Sequence, residues 1–139
     1  PTRHFVDPCI ACCALDITPS DLLSDRRNFG VFFEDRVVRD LRVYRNYIGG
    51  RIRHYRDNTG LECDAVIHLD DGRFALVEIR LGGLDLTEYG VSRLNRLKEK
   101  LVSKSDLPAP SFRRILTGFG PAYRRKDGIY VVLINRLKA

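Results

Sequence analysis

No run of apolar residues in this sequence approaches the ~18 that a transmembrane helix requires. The start, Pro1-Thr2-Arg3-His4, shows no apolar core behind a basic lead of the kind a secretory signal carries. On both counts the chain is expected to keep off the membrane and to stay in the cytoplasm. Methionine is absent, position 1 included, so the chain is expected to be trimmed or to be a piece of something longer. No G-x-x-x-x-G-K-[ST] loop occurs, so ATP is not expected to bind here on a glycine-rich cradle of backbone amides. There is no block of five or more consecutive Lys/Arg, no internal repeat and no low-complexity stretch.

What is present suits one folded domain. The 139 residues, 44% hydrophobic and 30% charged, are enough for a single core and have the balance of a globular chain rather than a disordered one. A net charge of +6 permits nucleic-acid binding. It equally suits a solvated surface, because the cations are dispersed over Arg26-Arg27, Arg36/Arg39/Arg42/Arg45, Arg51/Arg53/Arg56, Lys98/Lys100/Lys104 and Arg124-Arg125-Lys126.

Cys9 and Cys12 have C-x-x-C spacing and His4 lies nearby, the beginnings of a zinc site. Against zinc, Cys9-Ile10-Ala11-Cys12-Cys13-Ala14-Leu15 reads as one turn of a small-residue helix, and no second C-x-x-C or H-x-H pair completes four ligands. No zinc is expected. Cys9, Cys12, Cys13 and Cys63 are read as small buried residues carrying reduced thiols.

Residues 1–28 read as an arm entering a domain at 29–139. Asp7-Pro8 opens a short helical stretch to about Leu15, and Thr18-Pro19-Ser20-Asp21 signals a helix start for Leu22-Leu23. A strong helix follows over roughly Val31–Ile48, where Val37, Val38, Leu41, Tyr44 and Ile48 recur at helical spacing while Arg36, Arg39, Asp40 and Arg42 point elsewhere. Gly49-Gly50 ends it. Three strands come next, Arg51–Arg56, Glu62–Leu69 and Arg73–Leu81, separated by the turn residues Asp57-Asn58-Thr59-Gly60 and Asp70-Asp71-Gly72. A second helix over Leu86–Lys104 is expected to bury Tyr89, Leu94, Leu97 and Leu101, and Ser105 to Pro110 stops it. Phe112–Thr117 and Ile129–Ile134 are the last strands, with Lys126-Asp127-Gly128 before the second as a hairpin turn. The order helix, three-strand meander, helix, strand, strand gives an α/β fold, a mixed sheet flanked by helices.

Glu34 is the most informative position. It falls near the centre of the apolar stripe made by Val37, Val38, Leu41 and Ile48, and a carboxylate facing a core must be paired, hydrogen-bonded or bound to a cation. One reading is a salt bridge to Arg45 or Arg80; the other is a metal-site carboxylate. Asp64 stands near the start of the second strand. Glu78 and Arg80 share one face at the end of the third, since side chains alternate along a strand. Asp64 and Glu78 are equally far from Asp71, so hairpin pairing brings them side by side. Two acids and a cation at one end of an apolar sheet make the oxygen cluster that Mg²⁺ favours, or simply a cross-strand ion pair with Arg56 or Asp64.

Four segments carry a resemblance. Phe29-Gly30-Val31-Phe32-Phe33-Glu34-Asp35-Arg36-Val37-Val38-Arg39-Asp40-Leu41-Arg42 resembles the first core helix of the domain found C-terminal to the motor in prokaryotic AAA-type ATPases. Tyr55 to Val66 and Ala75 to Gly82 resemble its core strands, and Gly118 to Tyr130 its closing hairpin. The resemblance implies a PD-(D/E)XK, restriction-endonuclease-like core in which Asp64 and Glu78 are the two metal-binding acids and Glu34 the helix carboxylate. It also implies an ATPase domain upstream in the same polypeptide. The departure is Arg80, where active members of this superfamily carry lysine. Arginine stays charged, cannot act as a base and carries a wide planar fork.

Two readings follow. In one, the chain is a nucleic-acid- or partner-binding module whose nuclease site has decayed. In the other it is an active DNA nuclease using Mg²⁺, with Mn²⁺ as substitute: Asp64 and Glu78 hold the metal, Glu34 assists, Arg80 contacts phosphate, and Arg56, Arg124, Arg125 and Lys126 form the basic rim on DNA. A third reading is a plain oligomerisation domain.

Overall fold

The computed structural model describes residues 4–104 and 107–137, the side chains of Ile48 and Lys104 excepted. Its helices are α1 (Pro8–Ala14), α2 (Pro19–Ser24), α3 (Arg26–Ile48) and α4 (Leu84–Lys104). Its strands are β1 (Arg51–Arg56), β2 (Glu62–His68), β3 (Phe74–Arg80), β4 (Phe112–Thr117), β5 (Tyr123–Arg124) and β6 (Ile129–Leu133). Among the described residues no helix is long and apolar enough to cross a membrane.

Capping residues set where the helices begin. The Asp7 carboxylate accepts from the Cys9 amide ahead of Pro8, and Thr18 and Asp21 form a reciprocal capping box at α2. The Asp25 carboxylate accepts from the amides of Arg27 and Asn28, which starts α3 at Arg26, five residues before the hydrophobic period begins at Val31. At the other end the chain turns through Gly49 and Gly50. A Cβ on Gly50, whose φ is +92°, would sit 2.1 Å from the His68 carbonyl oxygen, so only glycine lets the backbone pass there.

The six strands form one mixed sheet in the order β1-β2-β3-β4-β6-β5. β1, β2 and β3 are the expected antiparallel meander. In its first turn the Asp57 carboxylate accepts from the amides of Thr59 and Leu61. β4 lies parallel to β3 after the α4 crossover, and β6 parallel to β4. The Lys126-Asp127-Gly128 turn therefore does not join the two long C-terminal strands as a hairpin. It joins β6 to β5, a two-residue return strand too short to leave a periodic pattern.

The two long helices cover opposite faces. Val91, Leu94 and Leu97 of α4 pack on Val66, Phe74, Leu76, Ile115 and Ile129, while Val37, Val38 and Leu41 of α3 pack on Ala65, Ile67, Ala75, Val77 and Leu116. Burial on both faces explains why β2 and β3 read as near-continuous apolar runs rather than alternating ones.

Two burial expectations fail. Tyr89 is 60% exposed, because it lies off the α4 stripe of Val91, Leu94 and Leu97. Cys9 and Cys13 are exposed, and Cys63 alone of the four cysteines is fully buried, since the short α1 turns part of its small-residue surface to solvent.

Candidate functional site

The site forms where β2 begins and β3 ends. Ala65 pairs with Val77, so one step further along the ladder sets Asp64 beside Glu78, as their equal distance from the turn requires. Asp64 Oδ2 accepts from the Ile79 amide at 2.8 Å and from Arg80 Nη1 at 2.8 Å. Arg80 Nη2 donates to Glu78 Oε2. One guanidinium thus bridges both acids, with its side chain 11% exposed and those of Asp64 and Glu78 at 5% and 0%.

Two further groups enclose this bridge. Arg93 of α4 places Nη1 3.6 Å from Glu78 Oε2 and Nη2 3.2 Å from Glu62 Oε1. The Tyr89 ring receives the guanidiniums of Arg80 and Arg93, each 5.7 Å from its centroid. From the arm, His4 Nδ1 contacts the Asp35 carboxylate on α3, next to Glu34, and His4 Nε2 is buried without a hydrogen-bond partner.

Burial sets the acid–base character of the site. Glu78 is pushed up to about 8, first by burial and then by the charge of Asp64, against the pull of Arg80 and Arg93. Its Oε1 is buried without a hydrogen-bond partner. Glu34 is pushed up to about 7 by burial and then by Asp64, with Arg80 opposing. Half-buried on α3, it makes no ion pair within 4 Å among the described residues. Of the two partners weighed for it, Arg45 is exposed and Arg80 is engaged by Asp64 and Glu78.

Glu34, Asp64, Glu78 and Arg80 therefore share one electrostatic neighbourhood, but three acids do not converge on one point. Among the described residues no three of His, Cys, Asp and Glu stand close enough to hold a metal ion. Asp64 Oδ2 and Glu78 Oε2 are both taken by Arg80, so this arrangement of donors does not fit Mg²⁺, which wants near-octahedral oxygen ligation.

The four basic residues read as a DNA rim fall into two groups. Arg56, on β1, is exposed 4.0 Å from Glu62. On β5, Arg124 lies over the Tyr130 ring; next to it Arg125 pairs with Glu88 and Asp127, and Lys126 is exposed in the turn. β1 and β5 are opposite edges of the sheet, about 24 Å apart over five strand spacings.

Sequence reasoning missed Arg93 and the contact of His4 with Asp35. Arg93 lies to one side of the apolar stripe of α4, about 100° around the helix from Leu94, so helical period gives no signal for it of the kind that singled out Glu34 on α3. Nothing local connects His4 to Asp35, 31 residues away.

A family model described as "Domain of unknown function (DUF4143)" matches residues 29–136. No curated protein matches the chain.

Proposed function

This chain belongs to the DUF4143 family, and we propose that it is a PD-(D/E)XK-like module of an AAA-type ATPase whose nuclease site has decayed, leaving a docking role toward nucleic acid or a partner. The observation that carries the reading is the Arg80 guanidinium bridging Asp64 and Glu78. Two acids at the end of a two-sided sheet are held by a fixed cation of the protein itself. A guanidinium offsets their charge as a divalent ion would, but it neither binds and activates a water nor gives up a proton. Docking to nucleic acid would draw on the exposed cations at the sheet edges and weaken steeply with added salt.

A second reading, an active Mg²⁺-dependent DNA nuclease, is favoured by one specific observation. Among the described residues Glu78 Oε1 has no hydrogen-bond partner and Glu34 makes no ion pair within 4 Å, so two acceptors are uncommitted.

The two readings separate in one experiment. The parent chain, Glu78→Ala and Arg80→Lys are incubated with single- and double-stranded DNA and Mg²⁺ or Mn²⁺. No cleavage by the parent, with a gain in Arg80→Lys, is the expected result. Cleavage by the parent that Glu78→Ala abolishes overturns the decayed-site reading. A parent with no DNA affinity at low salt removes nucleic acid from the docking role and leaves the partner.

A further inference from the structure

A second feature lies at the other end of the meander and is independent of the carboxylates. α4 packs on β2, β3 and β4, so the edge strand β1 is left outside its cover. Between β1 and the C-terminal half of α4 lies a cavity of about 320 Å³, walled by Tyr55, Val66, Phe74, Leu97, Leu101 and Leu107. Arg53 and His68 stand at its rim, and both also line a second recess of about 240 Å³ whose third residue is Arg51. Arg51 pairs with His68 across the β1–β2 ladder, and all three side chains are exposed. Among the described residues neither Arg51 nor Arg53 has an ion-pair partner within 4 Å. An apolar cavity thus opens directly onto a cationic recess.

We propose that these joined recesses bind an amphiphilic acid, a small molecule with an apolar body and an anionic head. The body fills the cavity, where its apolar surface is removed from water, and the head meets Arg51 and Arg53. The cavity lies at the lower end of the size range of small-molecule pockets. A neutral ligand would leave the arginines without a counter-charge. A nucleic-acid backbone would use the arginines and leave unfilled the cavity behind them, walled by Val66, Leu97, Leu101 and Leu107 beside Tyr55 and Phe74.

The test is calorimetric titration of the whole chain with octanoate, n-octanol and acetate, repeated on Arg51→Ser/Arg53→Ser and on Leu101→Trp. The two arginines are exposed, so their replacement leaves the core intact. Octanoate is expected to bind the parent, at least tenfold more weakly the double arginine variant, and more weakly the cavity-filling variant. Acetate gives no measurable heat, and n-octanol binds more weakly than octanoate and is indifferent to the arginines. Octanoate binding no better than acetate, or equally well without the arginines, overturns the proposal. So does an oligothymidylate that binds through Arg51 and Arg53 while octanoate does not. None of these outcomes depends on whether Arg80, Asp64 and Glu78 hold a decayed or an active site.

Discussion

Replacing Arg80 by alanine tests the central claim about the site. The substitution removes a guanidinium that is 11% exposed and leaves the carboxylates of Asp64 and Glu78, 5% and 0% exposed, side by side. Removing one partner of a buried ion pair costs about 3–5 kcal/mol, because the charge left behind is uncompensated. The lower half of that range is expected, since Arg93 stays 3.6 Å from Glu78 and Glu78 can take up a proton. Against a typical stability of about 5–15 kcal/mol the variant should still fold. Urea unfolding of the parent and Arg80→Ala, at pH 5 and pH 8, measures the loss. It should be larger at pH 8, where Glu78, pushed up to about 8, is partly ionised, than at pH 5, where it holds its proton, and adding Glu78→Gln should restore part of it there by removing that charge. A loss below about 1 kcal/mol at pH 8, or one that Glu78→Gln does not reduce, would show that the guanidinium contributes packing rather than charge compensation.

Glu34→Gln has a distinct pH signature. The folded group sits at about 7, above its ordinary 4.5, so between those values the folded chain holds a proton that the unfolded chain has released. The parent therefore loses stability as pH rises from about 4.5 through 7. The glutamine variant escapes that loss and should match the parent near pH 4.5 and exceed it at pH 8 by up to about 3 kcal/mol. Denaturant melts at the two pH values check it, and no gain at pH 8 rejects the burial assigned to this carboxyl. Gly50→Ala should cost about 2 kcal/mol or more, because the new Cβ meets the His68 carbonyl oxygen at 2.1 Å on top of the strain at φ +92°. Gly60→Ala is the control, with φ +79° and nothing within 4 Å of its Cβ. It should lose only the strain, about 1 kcal/mol, when both variants are compared in thermal melts, and equal losses would refute the close approach at Gly50.

Much of this molecule is written in short-range signals. Asp25, Thr18 and Asp7 cap helices within one turn, Val37, Val38 and Leu41 mark the buried face of α3, and Asp57 and Asp71-Gly72 fix the two meander turns. Because a hairpin's register follows from its turn, the sequence by itself determined that Asp64 would stand beside Glu78. It also marked Glu34 as a carboxylate on an apolar face, since helical period alone places it there.

Only the tertiary structure decided what those acids meet. β4 beside β3, β6 beside β4 and α4 across the sheet have no covalent turn to set their register; they are fixed by the summed burial of two opposite faces, to which no single residue contributes a readable signal. That docking brings Arg93 to Glu78 and lays Tyr89 under two guanidiniums instead of in the core. It also leaves β1 outside the cover of α4, beside the apolar cavity. Periodicity could say that Arg80 and Glu78 share a face, but whether the guanidinium would bridge both acids depended on how deeply that end of the sheet is buried, and burial is a property of the assembled layers.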